Sequence, residues 1–289
     1  MPLTLRNFNK KADYLCFTAN TANTSFYIER NGSPTSVSLE TSTDWTNWSS
    51  YTIWNSITLN NIWDKVYFRN TSTTDTGFST STSNYYSFAI TSWTLSANWD
   101  ITTLLNKNWT KTVSDYCFYM FFYWCERLTS SPKLPATTLA NYCYNLMFYW
   151  CTNLITAPEL PATILANNCY GYMFYWCTTL TVPPQLVATT LANYCYAWMF
   201  RDCTNLTTLP KIIAITLNNY CCQLMFLWCS KIKISETQTW EYQTPYRMPD
   251  TWTWTLWTAA LDRVFMNTWW TFTWTPDINT TYYTSNTVV

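Results

Sequence analysis

The sequence predicts two kinds of structure in one chain: an N-terminal all-β domain and, after it, an α/β solenoid. Two observations support this prediction, namely strand-like alternation of apolar and polar residues in the first third and a strict 26-residue repeat in the middle. We assign residues 1–107 to a β-sandwich-like domain, 108–234 to five repeats, and 235–289 to an irregular insertion followed by a capping repeat. The solenoid is expected to combine a parallel β-sheet with short helices or 3₁₀ segments.

The N-terminal region is rich in Thr and Ser and shows no helical periodicity. Apolar residues alternate with polar ones in "SYTIWNSITL" and "KVYFRNTS". Alternation with a period of two is typical of strands that bury one face. These stretches therefore predict strands within residues 1–107.

Cysteine pairs set the register of the repeat. The first and second members of the pairs each recur every 26 residues, as C-x7-C: Cys117/Cys125, Cys143/Cys151, Cys169/Cys177, Cys195/Cys203 and Cys221/Cys229. A fixed period of this size indicates stacked supersecondary units that bury one another's apolar faces. Cys16 and Cys222 lie outside the two columns.

Each repeat is interpreted as a strand, a turn and a helix. A run such as Leu154–Ala157 predicts a short buried strand, and the following Pro column ends it because proline has no N–H to donate. The stretch "NYCYNLMFY" predicts a helix or 3₁₀ segment with Asn141 as its N-cap. Cys143, Met147 and Cys151, spaced by four residues, would then lie on one inward face.

Tryptophan occupies positions that suit glycine. The chain has 3 Gly and 19 Trp, and the column before the second Cys reads Trp124, Trp150, Trp176, Asp202 and Trp228. A left-handed residue is expected there, and Asp tolerates that backbone whereas Trp does not. Our hypothesis is that most of these Trp are Gly in the organism, since the codon UGA specifies Trp in one genetic code and Gly in another. Trp48 is the best candidate for a genuine Trp, Trp198 is undecided, and a real Trp column selected for stacking is the alternative. The hypothesis predicts positive φ at all five positions of this column.

With these residues in view, the repeat resembles the BspA-type leucine-rich repeats of bacterial surface proteins. It is similar to the 26-residue subgroup built on "LPATTLANYCYxxMFYGCTNLT", which residues 117–234 follow in five copies. Residues 260–283, "ALDRVFMNTWWTFTWTPDINTTYY", resemble the divergent terminal repeat, and 1–107 resemble the β-domain that precedes it. The resemblance implies a right-handed leucine-rich-repeat solenoid, a cell-surface or extracellular location, and roles in adhesion. It implies no common ligand.

Composition excludes several classes of function. Lys+Arg and Asp+Glu are 16 each and charged residues are 11 %, which argues against nucleic-acid binding because that requires clustered cations. The chain has no His, so the commonest general base and metal ligand is missing. We also expect no membrane-spanning segment, and the first residues show no signal peptide.

Twelve cysteines raise the question of a metal or of disulfides. Zinc sites usually show C-x2-4-C, often with His, so C-x7-C does not match them. Cross-repeat disulfides are geometrically conceivable, while the simpler interpretation is that stacked thiols behave as small buried apolar groups. No cofactor or metal is predicted.

The function that this sequence favours is non-catalytic recognition or adhesion, with a protein or a glycan as ligand. The candidate binding face is the variable column before the "LP" position: Lys133, Glu159, Gln185 and Lys211. A phage or surface host-recognition protein of the same build is one alternative. A polysaccharide-active enzyme is the other, but that activity needs a pair of carboxylates, which the column lacks. The oligomeric state stays open.

Overall fold

Two β-sheets packed face to face form the N-terminal part of the protein. The structure, a computed structural model, describes residues 14–74, 77–108, 111–210, 212–214, 216–232, 260 and 264. Its strands are β1 (Leu15–Ala19), β2 (Thr24–Asn31), β3 (Leu39–Ser42), β4 (Ser49–Tyr51), β5 (Ile57–Leu59), β6 (Lys65–Asn70), β7 (Tyr85–Ser92), β8 (Leu95–Asn98) and β9 (Leu128–Ser130). One sheet has the order β4-β3-β6-β1-β8-β9 and the other β5-β2-β7. The two stretches that predicted strands contain β5, β6 and all of β4 except Ser49.

Phenylalanine rings fill the space between the two sheets. Phe17 on β1 stacks on Phe88 of β7 with ring centroids 4.4 Å apart, and Phe26 of β2 lies 4.9 Å from Phe88. Phe68 of β6 meets Phe17 edge to face at 5.6 Å. Burial alternates along β2, as expected for a strand that turns one face to this core.

The larger sheet continues into the first repeat. All strand pairs are antiparallel except the last, in which β8 pairs in parallel with β9. The amides of Phe78 and Phe88 also donate to the carbonyls of Cys117 and Phe121, at 2.8 and 2.7 Å. Backbone hydrogen bonds therefore cross the predicted boundary between residues 107 and 108, while the division into three domains stays a prediction.

The prediction of an α/β solenoid with short helices is wrong. The described residues contain one 3₁₀ turn, Ile101–Leu104, and no α-helix. The segments that predicted helices, such as 141–150, run as a continuous series of turns. The predicted parallel sheet is reduced, beyond β9, to single paired residues in neighbouring repeats, such as Ser130 with Thr156 and Thr190 with Thr216.

Hydrogen bonds explain why these segments are not helices. Alternate amides donate three residues back within the repeat, such as Asn145 to Tyr142 (3.2 Å). The amides between them donate to the next repeat, such as Tyr144 to Cys169 and Leu146 to Gly171, both at 3.0 Å. An α-helix instead sends every interior amide four residues back. We call this arrangement the turn ribbon, for residues 116–125 and their counterparts in later repeats.

Every fourth residue of the turn ribbon has a left-handed backbone. In the second repeat φ is 57° at Tyr142, 57° at Leu146 and 63° at Trp150. This gives the ribbon a true period of four, with pairs of inward residues, such as Cys143 and Tyr144, between outward ones. Over only eight residues that period is nearly indistinguishable from the 3.6 of a helix, which is why the spacing of the cysteines was misleading.

Identical positions of successive repeats stack in columns. The rings of Phe122, Phe148 and Phe174 lie 5.5 and 5.7 Å apart and almost parallel. Asn141 is not a helix N-cap, because its side-chain oxygen accepts the amide of Asn167, 26 residues on, at 3.1 Å. The last repeat is covered by residues 260 and 264, whose carbonyls accept the amides of Cys222 and Phe226.

Candidate functional site

The predicted binding column is exposed where the structure describes it. Lys133, Glu159 and Gln185 point to solvent between a buried Pro and a buried Leu of their own repeats. Lys211 lies outside the described residues. The Lys133 backbone is held in place, since its amide donates to Trp99 (2.6 Å) and its carbonyl accepts from Ile101 (3.2 Å). The column thus presents single, mixed-charge side chains, of which Lys133 stands on a backbone held by two hydrogen bonds.

A second candidate surface was missed by the sequence reasoning. The outward positions of the turn ribbon carry half-buried tyrosines, which we call the tyrosine face: Tyr116, Tyr123, Tyr142, Tyr149, Tyr172 and Tyr175. Two further tyrosines, Tyr194 and Tyr220, continue one of its columns at the far end of the stack. The recurrence of Tyr at these positions is visible in the sequence. A helix, with 3.6 residues per turn, would not place these Tyr on one side, and for that reason the surface was not predicted.

Rings on the tyrosine face stack along the repeats. Tyr116 and Tyr142 are 4.9 Å apart with planes 5° from parallel, and Tyr123 and Tyr149 are 5.1 Å apart at 19°. Within these two pairs each ring covers a face of its neighbour, whereas Tyr149 and Tyr175 meet edge to face with planes 70° apart. A sugar packs best on an open aromatic face, whereas hydroxyls and edges suit the mixed polar and apolar surface of a protein.

One ion pair interrupts the aromatic columns. In the fourth repeat Arg201 takes the place of the tyrosines and its Nε lies 3.3 Å from Oδ2 of Asp202. The guanidinium also lies 5.0 Å from the ring centroid of Tyr175 and 5.0 Å from that of Trp228, within cation–π range. Burial raises the pKa of Asp202, an effect that the Arg201 charge opposes.

The cysteines are buried thiols that hold neighbouring repeats together. Sγ of Cys151 donates to the Phe122 carbonyl at 3.1 Å, and Sγ of Cys177 donates to that of Phe148 at 3.1 Å. Burial raises the pKa of Cys169 to about 12. Such thiols carry little thiolate and are poor nucleophiles. Among the described residues no group of three or more His, Cys, Asp or Glu side chains is arranged to hold a metal ion.

The predicted backbone of the tryptophan column is confirmed. The φ angles are 60° at Trp124, 63° at Trp150 and Trp176, 60° at Asp202 and 62° at Trp228. These residues were predicted to end a helix, and that prediction is wrong because no helix ends there. They are instead the third left-handed position of each turn ribbon.

No helix within the described part of the chain is both long and apolar enough to cross a membrane. No protein family, no curated protein and no solved structure matches this chain.

Proposed function

We propose that this chain is a non-catalytic recognition or adhesion protein of the BspA type that binds a protein ligand through the tyrosine face. The observation that carries the proposal is the concentration of half-buried tyrosines on one side of the turn ribbon. Tyrosine provides large, rigid contact area at a low cost in side-chain entropy, and it is enriched in protein interfaces.

The stacking of the rings favours a protein over a glycan as the ligand. Tyr149 stacks on Tyr123 at 5.1 Å with planes 19° apart, and Tyr175 meets it edge to face at 4.9 Å and 70°. A sugar would find its preferred ring faces occupied, while a protein can contact the hydroxyls and edges together. The exposed Lys133, Glu159 and Gln185 lie outside the turn ribbon, and exposed charges of this kind add little affinity.

Binding of the labelled full chain to cultured animal cells tests this proposal. We expect binding to survive periodate treatment of the cells, which destroys glycans, and to be lost after protease treatment. The double variant Tyr142→Ala/Tyr149→Ala should bind at least about 30-fold more weakly, the effect of one interface hot spot of about 2 kcal/mol.

Gln185→Ala, at an exposed position outside the turn ribbon, is the matched control and should change affinity by less than about threefold. Loss of binding after periodate alone would overturn the choice of a protein ligand. Unchanged binding by the double variant, with its unfolding midpoint near that of the original chain, would overturn the tyrosine face as the site.

A further inference from the structure

Most of the described tryptophans of this chain have a left-handed backbone, which is unfavourable for every residue that has a Cβ. Of the eleven Trp that the structure describes, ten have positive φ: Trp45, Trp54, Trp63, Trp93, Trp99, Trp124, Trp150, Trp176, Trp198 and Trp228. Trp48 is the exception. No phenylalanine among the described residues has positive φ, whereas five tyrosines of the turn ribbon do: Tyr116, Tyr142, Tyr172, Tyr194 and Tyr220. The φ argument therefore applies most directly to the Trp outside the turn ribbon and to the Trp column that shares its position with Asp202.

Positive φ strongly favours glycine. A Cβ in this region crowds the following carbonyl, which lowers the folded-to-unfolded ratio by roughly 5- to 30-fold for each residue. Glycine has no Cβ and pays no such penalty. Each Trp at such a site therefore costs stability that Gly would not, as do the Tyr, Met and Leu residues at the other left-handed positions of the turn ribbon.

Burial does not compensate for this penalty at three of the five left-handed Trp in the N-terminal region, while Trp45 and Trp99 are half-buried. Trp63 is 68 % exposed, Trp93 55 % and Trp54 53 %. Backbone hydrogen bonds hold two of these positions. The Trp54 amide donates to the Ile28 carbonyl and the Trp63 amide to the Ala19 carbonyl, both at 2.9 Å. Glycine would make the same two hydrogen bonds without strain.

Trp48 differs from the other ten described tryptophans in its backbone angle, and its ring makes specific contacts. Its backbone is not left-handed, and its ring lies under the Arg69 guanidinium at 4.1 Å and against Tyr14 at 4.8 Å. Its indole Nε1 donates to the Trp45 carbonyl at 3.0 Å. These contacts use the ring and the indole N–H, so tryptophan is the residue that this site requires.

We infer that nine of the ten left-handed positions hold glycine in the chain that the organism makes, through UGA codons read as Gly, while position 48 holds tryptophan. Trp198 is left out of the nine because the other members of its column also have positive φ: 58° at Met120, 57° at Leu146 and Tyr172, and 52° at Leu224. Backbone geometry therefore does not single out glycine at that position.

This inference changes the binding surface that the repeats present. Trp124 and Trp150 lie directly beside Tyr123 and Tyr149, with ring centroids 5.7 and 6.1 Å apart. Glycine at 124, 150 and 176 would replace this indole column with bare backbone along the tyrosine face. A protein segment could then approach the main chain closely, and stacking of sugars on indoles would have no part in recognition.

Peptide mass spectrometry of the chain purified from cells that carry its gene tests the inference without relying on the proposed function. We expect the residue mass of Gly at positions 63 and 150 and that of Trp at position 48, which serves as the internal control. Trp at both 63 and 150 would overturn the inference.

A second test compares two recombinant full-length chains, one as printed and one with Gly at the nine positions and Trp48 retained. The Gly chain should have the higher unfolding midpoint, and adding Trp48→Gly to it should lower that midpoint again. A Gly chain whose midpoint equals or falls below that of the Trp chain would contradict the argument from φ.

Discussion

The asparagine ladder offers the most direct test of how neighbouring repeats are held together. Oδ1 of Asn167 accepts the amide of Asn193 at 3.2 Å, and the Asn167 amide donates to Oδ1 of Asn141 at 3.1 Å. Asn219 repeats this contact on Asn193 at 3.1 Å, and Asp115 accepts the Asn141 amide at 2.8 Å. The substitution Asn167→Ala removes one acceptor from the middle of the ladder.

The expected cost of this substitution follows from the hydrogen bond that is lost. A neutral intramolecular hydrogen bond contributes about 0.5–1.5 kcal/mol net, and a buried donor left without a partner costs about 1–3 kcal/mol. Asn167 is exposed and Asn193 half-buried, so water can replace part of the contact. We therefore expect Asn167→Ala to lower the free energy of unfolding by about 1 kcal/mol.

Urea unfolding followed by circular dichroism measures this effect, and Asn167→Asp is the matched control. The carboxylate of Asp115 already fills the equivalent position of the first repeat, so Asp at 167 should restore most of the lost stability. If Asn167→Ala leaves the midpoint unchanged, or if Asn167→Asp is as destabilised as the alanine variant, the ladder does not join the repeats as described.

Three further predictions use the same unfolding assay. The hydroxyl of the buried Tyr144 has no hydrogen-bond partner among the described residues, and Phe118 fills the same column one repeat earlier. Tyr144→Phe should therefore raise the free energy of unfolding by about 1 kcal/mol, and a lower value than that of the original chain would contradict this. Because burial raises the pKa of Cys169 to about 12, its contribution to stability is complete below the pKa of the unfolded thiol and falls as the pH rises above it, by roughly 1 kcal/mol at pH 10. A flat profile of stability between pH 8 and pH 10 would show that the thiol ionises as easily in the folded chain. Trp48→Ala should lose about 1 kcal/mol or more as the contact with Arg69 disappears, and an unchanged midpoint would argue against a genuine Trp there.

The candidate site could be predicted from the sequence only in part. The column of Lys133, Glu159 and Gln185 was found because its residues vary between otherwise constant neighbours, and a position between a buried Pro and a buried Leu is exposed in any stacked arrangement. The tyrosine face was not found, because its definition depends on which side of the turn ribbon faces out. That side follows from the period of four and not from the helical period that was assumed.

The sequence by itself determined the length of the repeat, the stacking of equivalent residues and the left-handed backbone at Trp150 and its counterparts. These are local or strictly periodic properties: a 26-residue spacing brings like residues together, and a column shared by Asp and Trp indicates an unusual φ. Only the tertiary structure decided between a helix and a turn ribbon. The reason is that half of the ribbon's amides find their acceptors about 25 residues away, as Tyr144 does on Cys169, so that no stretch within one repeat contains the partners that stabilise it.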